Sequence, residues 1–111
     1  MPDLPLEISC QDARRLLASN DAPWLVDCRE PQEHEIVAIA GAQLMPMSTI
    51  ADRLGDLQGQ EQARITVYCH LGVRSQRVAN WLRQQGYARA QSLTGGIDAW
   101  AVEIEPTMPR Y

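Results

Sequence analysis

Lysine is absent from this chain of 111 residues, and all ten of its basic residues are arginines. This absence excludes lysine chemistry, which includes Schiff bases and the Gly-Lys-Ser/Thr loop that binds nucleotide phosphates. An anionic ligand must therefore be held by arginine, by histidine or by backbone N–H groups.

Several protein classes are disfavoured by what else is missing. No apolar run approaches the roughly 20 residues that span a membrane. Residues 1–5 lack the basic and apolar regions of a secretory signal. The three cysteines form no Cys-x-x-Cys pair, so neither a disulfide framework nor a thiolate zinc site is indicated. We expect one domain over residues 1–111, in a reducing, cytoplasmic setting.

The net charge of −4 disfavours nucleic acid and anionic membrane surfaces as main partners. The remaining composition, with 45% hydrophobic and 22% charged residues, is typical of a globular protein with a single core.

Short apolar runs alternate with amphipathic segments along the chain. They predict strands over residues 6–8, 24–28, 43–45, 65–68 and 91–93. The intervening patterns predict helices over 9–18 (capped by Ser9, with Asp12 completing a capping box), 30–35, 48–57, 75–85 and 97–102. This alternation indicates an α/β fold with a parallel central sheet and helices on both faces. Ligand sites in such sheets lie beyond the carboxyl ends of the strands.

One heptapeptide at such a strand end carries the strongest chemical signal. It reads Cys69-His70-Leu71-Gly72-Val73-Arg74-Ser75. A cysteine between a strand and a helix faces unpaired backbone N–H groups and the positive end of the helix dipole. Gly72 allows the chain to curl into an anion-binding nest, and Arg74 adds a positive charge. Both effects lower the pKa of the Cys69 thiol below its free value of about 8.5, which favours the reactive thiolate.

A cysteine after a strand is more often a small buried hydrophobic residue with no chemical role. That alternative requires neither the glycine, nor the arginine, nor the helix start that follow Cys69 within a few residues. The surroundings therefore favour a reactive sulfur.

Further segments occur in a fixed order around this loop. They are Leu25-Val26-Asp27-Cys28-Arg29-Glu30 followed by Glu33, Ala40-Gly41-Ala42, Gly86-Tyr87, Leu93-Thr94-Gly95-Gly96-Ile97-Asp98-Ala99-Trp100 and Pro106-Thr107-Met108-Pro109-Arg110-Tyr111. In their order and spacing, the chain resembles the single-domain rhodaneses, which are persulfide-forming sulfurtransferases. Two departures concern details: Ala38 stands where the family often has histidine, and Cys28 stands where an aliphatic residue is more usual.

The resemblance implies a three-layer rhodanese-like fold and a reaction in two halves. The Cys69 thiolate takes the outer sulfur of an anionic donor such as thiosulfate and becomes a persulfide, which N–H groups between His70 and Ser75 stabilise. A thiol or a sulfur-accepting protein, or cyanide in the test tube, then removes that sulfur. No metal or organic cofactor is required. The ending over residues 106–111 resembles that of rhodanese domains fused to sulfur-carrier activating enzymes.

The loop residues around Cys69 have alternative roles. Arg74 either attracts an anionic donor or pairs with Asp27 or Glu33, and the two roles are compatible. His70 either contacts substrate or faces solvent. Leu71 at the loop tip suggests an apolar contact with the acceptor.

Residues outside the loop have less direct roles. Asp27 and Arg29 are expected to brace the loop rather than to react. Cys10 is expected to pack in the core, and Cys28 to be inert, although a resolving role is open. His34 could pair with Cys69 as in cysteine hydrolases, but its charged surroundings favour a solvated surface position.

Two other functions compete with sulfur transfer. The first is a catalytically silent binding module of the same fold, although such modules usually lack the nucleophile. The second is a cysteine-dependent phosphatase or arsenate reductase. Those enzymes resemble Cys-x5-Arg, whereas Cys69 and Arg74 form Cys-x4-Arg, a smaller ring that suits one sulfur atom better than a tetrahedral oxyanion.

Overall fold

The computed structural model describes residues 4–111, so most of the segment 1–5, in which we expect no secretory signal, lies outside the described residues. Within these described residues, five strands alternate with four α-helices and one 3₁₀ segment. The strands are β1 (Glu7–Ile8), β2 (Trp24–Asp27), β3 (Gln43–Leu44), β4 (Ile65–Tyr68) and β5 (Ala90–Leu93). The helices are α1 (Cys10–Leu17), α2 (Pro31–Ile36), α3 (Val73–Gln84) and α4 (Gly96–Glu103), and the 3₁₀ segment is Ile50–Leu57.

The five strands form one parallel sheet in the order β1-β5-β4-β2-β3. β4 lies at its centre, between β5 and β2, and all four of its residues are buried. Parallel strands align their carboxyl ends, so the segment after β4 lies beside the segment after β2. The predicted α/β fold with a parallel sheet is confirmed.

Side chains alternate between the two faces of the sheet and build two apolar clusters. On one face, Val26 and Val67 pack with α3 and the 3₁₀ segment. On the other face, Leu25 and Tyr68 pack with α1 and α4. Helices therefore cover both faces, as the sequence predicts.

Two local predictions need correction. The segment 50–57 is a 3₁₀ helix rather than an α-helix, because Gly55 weakens α-helical pairing in a segment too short to offset that cost. Helix α3 begins at Val73 rather than at Ser75, since Gly72 at φ 102° turns the chain directly into the helix. The cap at Ser9 is confirmed, and its side chain accepts from the Asp12 N–H at 3.1 Å.

None of the helices within residues 4–111 combines the length and hydropathy of a membrane-crossing segment.

Candidate active site

The sulfur of Cys69 lies at the centre of the loop that joins β4 to α3. Its Sγ accepts hydrogen bonds from the N–H groups of Gly72, at 3.1 Å, and Ser75, at 3.4 Å. The Ser75 hydroxyl lies 3.5 Å from the same sulfur and 2.7 Å from the hydroxyl of Ser92 on β5. The start of α3 thus supplies several donors to one atom, which is an arrangement for a negative charge.

The backbone of this loop is fixed from outside by α4. The Ile97 N–H donates to the carbonyl of Cys69 at 2.9 Å, and the Asp98 N–H donates to the carbonyl of His70 at 3.1 Å. This close approach requires Gly96, at φ 63°, because a side chain there would collide with the same two carbonyl groups. The loop is therefore clamped between the starts of two helices.

The pKa of the Cys69 thiol is lowered from its usual value. The largest cause is a hydrogen bond from the Cys28 thiol; burial acts in the opposite direction, and the donors at Ser75 and Gly72 lower the pKa further. The pKa of Cys28 is correspondingly raised, by its hydrogen bond to Cys69 and by burial. Cys69 is thus the thiolate of this pair and Cys28 is its proton-bearing partner.

Arg74 binds the carboxylate of Glu33 on α2. Its two terminal nitrogens donate to the two carboxylate oxygens at 2.7 and 2.9 Å. Of the two partners considered for Arg74, the structure selects Glu33. The pKa of Glu33 is lowered to about 2, first by Arg74, against burial and with help from Tyr111.

Asp27 and Arg29 form a fully buried ion pair behind the loop. Arg29 Nε and Nη2 donate to the two oxygens of Asp27 at 2.9 and 2.8 Å, and the Arg29 N–H donates to the same carboxylate at 3.0 Å. Burial raises the pKa of Asp27, but the bonds from Arg29 and His34 outweigh it, so the net shift is downward. The carboxylate at the end of β2 therefore stays charged inside the protein.

The expectation for His34 was wrong. Its Nδ1 lies 2.7 Å from an Asp27 oxygen, and its side chain is only 30% exposed. A polar local sequence indicated the surface, but α2 starts close to the end of β2 and carries the ring onto the carboxylate. His34 therefore belongs to the ion-pair network behind the loop, as a partner of Asp27.

Tyr111 reaches the same network. The Tyr111 hydroxyl donates to Glu33 at 2.7 Å and accepts from Arg29 Nη1 at 2.9 Å. Its ring stacks on His70, with ring centroids 4.0 Å apart and planes inclined by 12°. His70 therefore has a partner within the protein.

The remaining candidate residues lie either at the exposed tip of the loop or in the core. Leu71 and Val73 are exposed at the loop tip, by 60% and 66%. Cys10 lies in the cluster on the opposite face of the sheet, with its Sγ 3.7 Å from the Thr94 carbonyl.

Sequence reasoning gave no role to Ser92 and none to Tyr111 beyond its place in the closing segment. Both reach the site over long sequence separations, and local sequence patterns do not predict such contacts. In the described part of the chain, no three His, Cys, Asp or Glu side chains gather into a possible metal site.

Comparisons with known proteins agree with this geometry. The family model described as "Rhodanese-like domain" matches residues 9–103. A protein of Allochromatium vinosum named "Sulfurtransferase" is 36% identical over 95 residues, which are 86% of this chain and 87% of that protein. The rhodanese-like domain protein from Staphylococcus aureus has a similar structure, with a TM-score of 0.80 and 26% identity over 96% of this chain and 99% of that one.

Longer relatives contain a similar segment. The probable adenylyltransferase/sulfurtransferase MoeZ of Mycobacterium tuberculosis is 36% identical over 104 residues, which are 94% of this chain and 26% of that protein. Against several curated relatives, the chain spans between 23% and 31% of their length.

Proposed function

The chain belongs to the rhodanese-like domain family, and from that premise we propose that it is a sulfurtransferase that acts through a persulfide on Cys69. One observation carries the proposal: the Cys69 sulfur accepts hydrogen bonds from the Gly72 and Ser75 N–H groups at the start of α3. Donors arranged in this way stabilise an anionic sulfur both before and after it gains a second sulfur atom.

In the first half-reaction, the Cys69 thiolate attacks the outer sulfur of thiosulfate. An S–S bond to Cys69 forms, the sulfur–sulfur bond of thiosulfate breaks, and sulfite leaves with the bonding electron pair. The negative charge moves to the outer sulfur of the persulfide. This is covalent catalysis in two steps, which predicts ping-pong kinetics.

In the second half-reaction, an acceptor thiolate attacks the outer sulfur and Cys69 leaves as a thiolate. The lowered pKa of Cys69 favours this departure, because thiols of low pKa are better leaving groups. Cyanide serves as the acceptor in the test tube. No metal or organic cofactor enters either step.

The physiological acceptor in this proposal is a thiol, and a thiol carried by another protein fits the loop tip. Leu71 and Val73 expose apolar side chains next to the nucleophile, and apolar surface beside a reactive group favours contact with another protein. Leu71→Lys should weaken transfer to a protein acceptor while leaving transfer to cyanide intact. We place this chemistry in the reducing cytoplasm, with no nucleic-acid or membrane partner.

The test is intact mass spectrometry of the reduced protein after thiosulfate and again after cyanide. We expect a gain of one sulfur atom, which cyanide then removes. Cys69→Ser should gain nothing, and Cys10→Ala should behave as the parent does, because Cys10 lies on the other face of the sheet.

If thiosulfate does not load Cys69, the natural donor could be another compound. The loading is therefore repeated with mercaptopyruvate and with a protein persulfide. If none of the three donors loads Cys69 while the thiol is alkylated at neutral pH, sulfur transfer is contradicted. The binding-module alternative then stands.

A further inference from the structure

Cys28 and Cys69 directly follow the neighbouring strands β2 and β4. The register pairs Asp27 of β2 with Tyr68 of β4, and the Cys28 N–H donates to the Tyr68 carbonyl at 3.0 Å. In a parallel ladder, that bond sets Cys28 opposite Cys69. Neighbouring strands lie about 4.8 Å apart, which falls within the range of about 4.4–6.8 Å that a disulfide requires between its Cα atoms.

The two thiols also point to the same face of the sheet. Cys28 follows Val26 by two residues and Cys69 follows Val67 by two, and all four side chains belong to one apolar cluster. Each thiol also acts on the pKa of the other, which is lowered for Cys69 and raised for Cys28. Cys10 lies in the other cluster, so it is not a partner for either.

We propose that Cys28 is a resolving thiol, which closes a disulfide with Cys69 after a hydroperoxide has oxidised Cys69. In the first step, the Cys69 thiolate attacks one oxygen of hydrogen peroxide. An S–O bond forms, the O–O bond breaks, and hydroxide leaves, so that the sulfur is oxidised by two electrons to sulfenic acid.

In the second step, the Cys28 sulfur attacks the sulfur of that sulfenic acid. The S–S bond forms and the S–O bond breaks, and the departing hydroxyl takes the proton of the Cys28 thiol and leaves as water. A reducing thiol or dithiol reverses the bridge by exchange.

The environments of the two thiols divide these roles between them. Cys69 is held as the thiolate by N–H donors, and peroxide oxidises thiolates first. Cys28 is fully buried and keeps its proton, so it is protected from direct oxidation and holds the proton that the leaving hydroxyl needs. An aliphatic residue would fill this apolar position equally well, so packing alone does not call for sulfur there.

The bridge would occupy the nucleophile and protect it from irreversible oxidation to sulfinic acid. This inference requires a reactive Cys69 thiolate but does not require that its natural reaction be sulfur transfer. The two proposals can therefore fail separately.

The experiment treats the reduced protein with hydrogen peroxide, blocks free thiols with N-ethylmaleimide under denaturing conditions, and maps tryptic peptides. Cleavage at arginine places the three cysteines in three separate peptides. We expect a mass loss of two hydrogen atoms, one maleimide at Cys10, and a peptide in which Cys28 is linked to Cys69. Dithiothreitol should restore three free thiols.

Two variants provide the matched comparison. Cys10→Ala should still form the bridge. Cys28→Val should instead accumulate Cys69 sulfinic acid under the same treatment, and circular dichroism checks that this variant is folded. If it is not, the peptide map of the parent protein decides alone.

Three results would overturn the inference. They are sulfinic acid on Cys69 of the parent protein with Cys28 still alkylated, a bridge that involves Cys10, and no oxidation of Cys69 by peroxide. Failure of thiosulfate to load Cys69, with the bridge still formed, would instead count against the proposed function alone.

Discussion

Arg74 and Glu33 form a two-pronged ion pair, with both terminal nitrogens of the arginine on both oxygens of the carboxylate. The pair joins the first turn of α3 to α2, so it ties the loop around Cys69 to the segment that follows β2. It is half-buried, with side chains 31% and 21% exposed. Arg74 is therefore both a charge near the sulfur and part of the frame that holds it.

Two substitutions of Arg74 distinguish the effect of its positive charge from that of its paired hydrogen bonds. Arg74→Ala should lower kcat/KM for thiosulfate by about tenfold or more, because it removes a positive charge near Cys69 that attracts an anionic donor. Arg74→Lys keeps the positive charge but cannot place two nitrogens on the two oxygens of Glu33. Its decrease in kcat/KM should therefore be smaller than that of Arg74→Ala. Steady-state kinetics of both variants check this, and an unchanged kcat/KM in Arg74→Ala would contradict it.

Glu33 should make the free energy of unfolding depend on pH in the acid range. Its pKa is about 2 in the folded protein against an ordinary 4.5, so the folded state favours the carboxylate. The resulting stability is fully present above the ordinary pKa and is lost as the pH falls from about 4.5 towards 2. Because the pair is partly exposed, we expect a loss of about 1 kcal/mol. Urea unfolding at several pH values should show this loss, and Glu33→Gln should lack it.

Gly96 tests how closely α4 must approach the loop. Gly96→Ala would place a Cβ within 2.5 Å of the Cys69 carbonyl oxygen at φ 63°, whereas Gly59, at φ 85°, has no neighbour within 4 Å. Gly59→Ala should cost about 1 kcal/mol for backbone strain alone. Gly96→Ala should cost about 1–3 kcal/mol more, because backbone must move. Denaturant midpoints measure both, and equal losses would contradict the clamping role of α4.

Tyr111 contributes through both its hydroxyl and its ring. Tyr111→Phe removes the acceptor of Arg29 Nη1 and one donor to Glu33, and should lower the free energy of unfolding by about 1–2 kcal/mol. Tyr111→Ala also removes the ring that stacks on His70, so it should be less stable than Tyr111→Phe. Chemical denaturation orders the two variants, and equal stabilities would indicate that the stacking contributes nothing.

Ser75 should set part of the reactivity of Cys69. Ser75→Ala keeps the backbone donor but removes the hydroxyl, so the pH midpoint of Cys69 alkylation should rise by about one unit. Ser92→Ala removes only the partner of that hydroxyl and should shift the midpoint less. Iodoacetamide labelling followed by mass spectrometry measures both.

Cys10 is the internal reference in that experiment, because burial and Glu103 raise its pKa to about 11. It should stay unlabelled at neutral pH in the folded protein. A midpoint that is the same in Ser75→Ala as in the parent would mean that the hydroxyl does not act on the sulfur.

The order of strands and helices and the position of the Cys69 loop were predictable because they depend on neighbours in sequence. The apolar residues of β4, the glycine after Cys69 and the amphipathic α3 are local signals. The helix type of segment 50–57 was harder to predict, since apolar spacing does not distinguish an α-helix from a 3₁₀ helix over two turns.

The network around the loop was predictable only in part. Arg74 had two candidate carboxylates, and the choice of Glu33 depends on the position of α2 above the sheet. Tyr111 meets Arg29 across 82 positions of sequence, and that contact depends on the path of the chain after α4. His34 was misjudged for the same reason, because its partner comes from the preceding strand end rather than from its own helix.

Helix α4 also determines which sign of charge the loop accepts. The carbonyl groups of Cys69 and His70 are occupied by N–H donors of α4, so neither peptide group is free to rotate and offer its oxygen to a cation. The N–H groups of Gly72 and Ser75, in contrast, point at the Cys69 sulfur. A ligand or substitution that displaced α4 would therefore relax the preference for anions without touching Cys69.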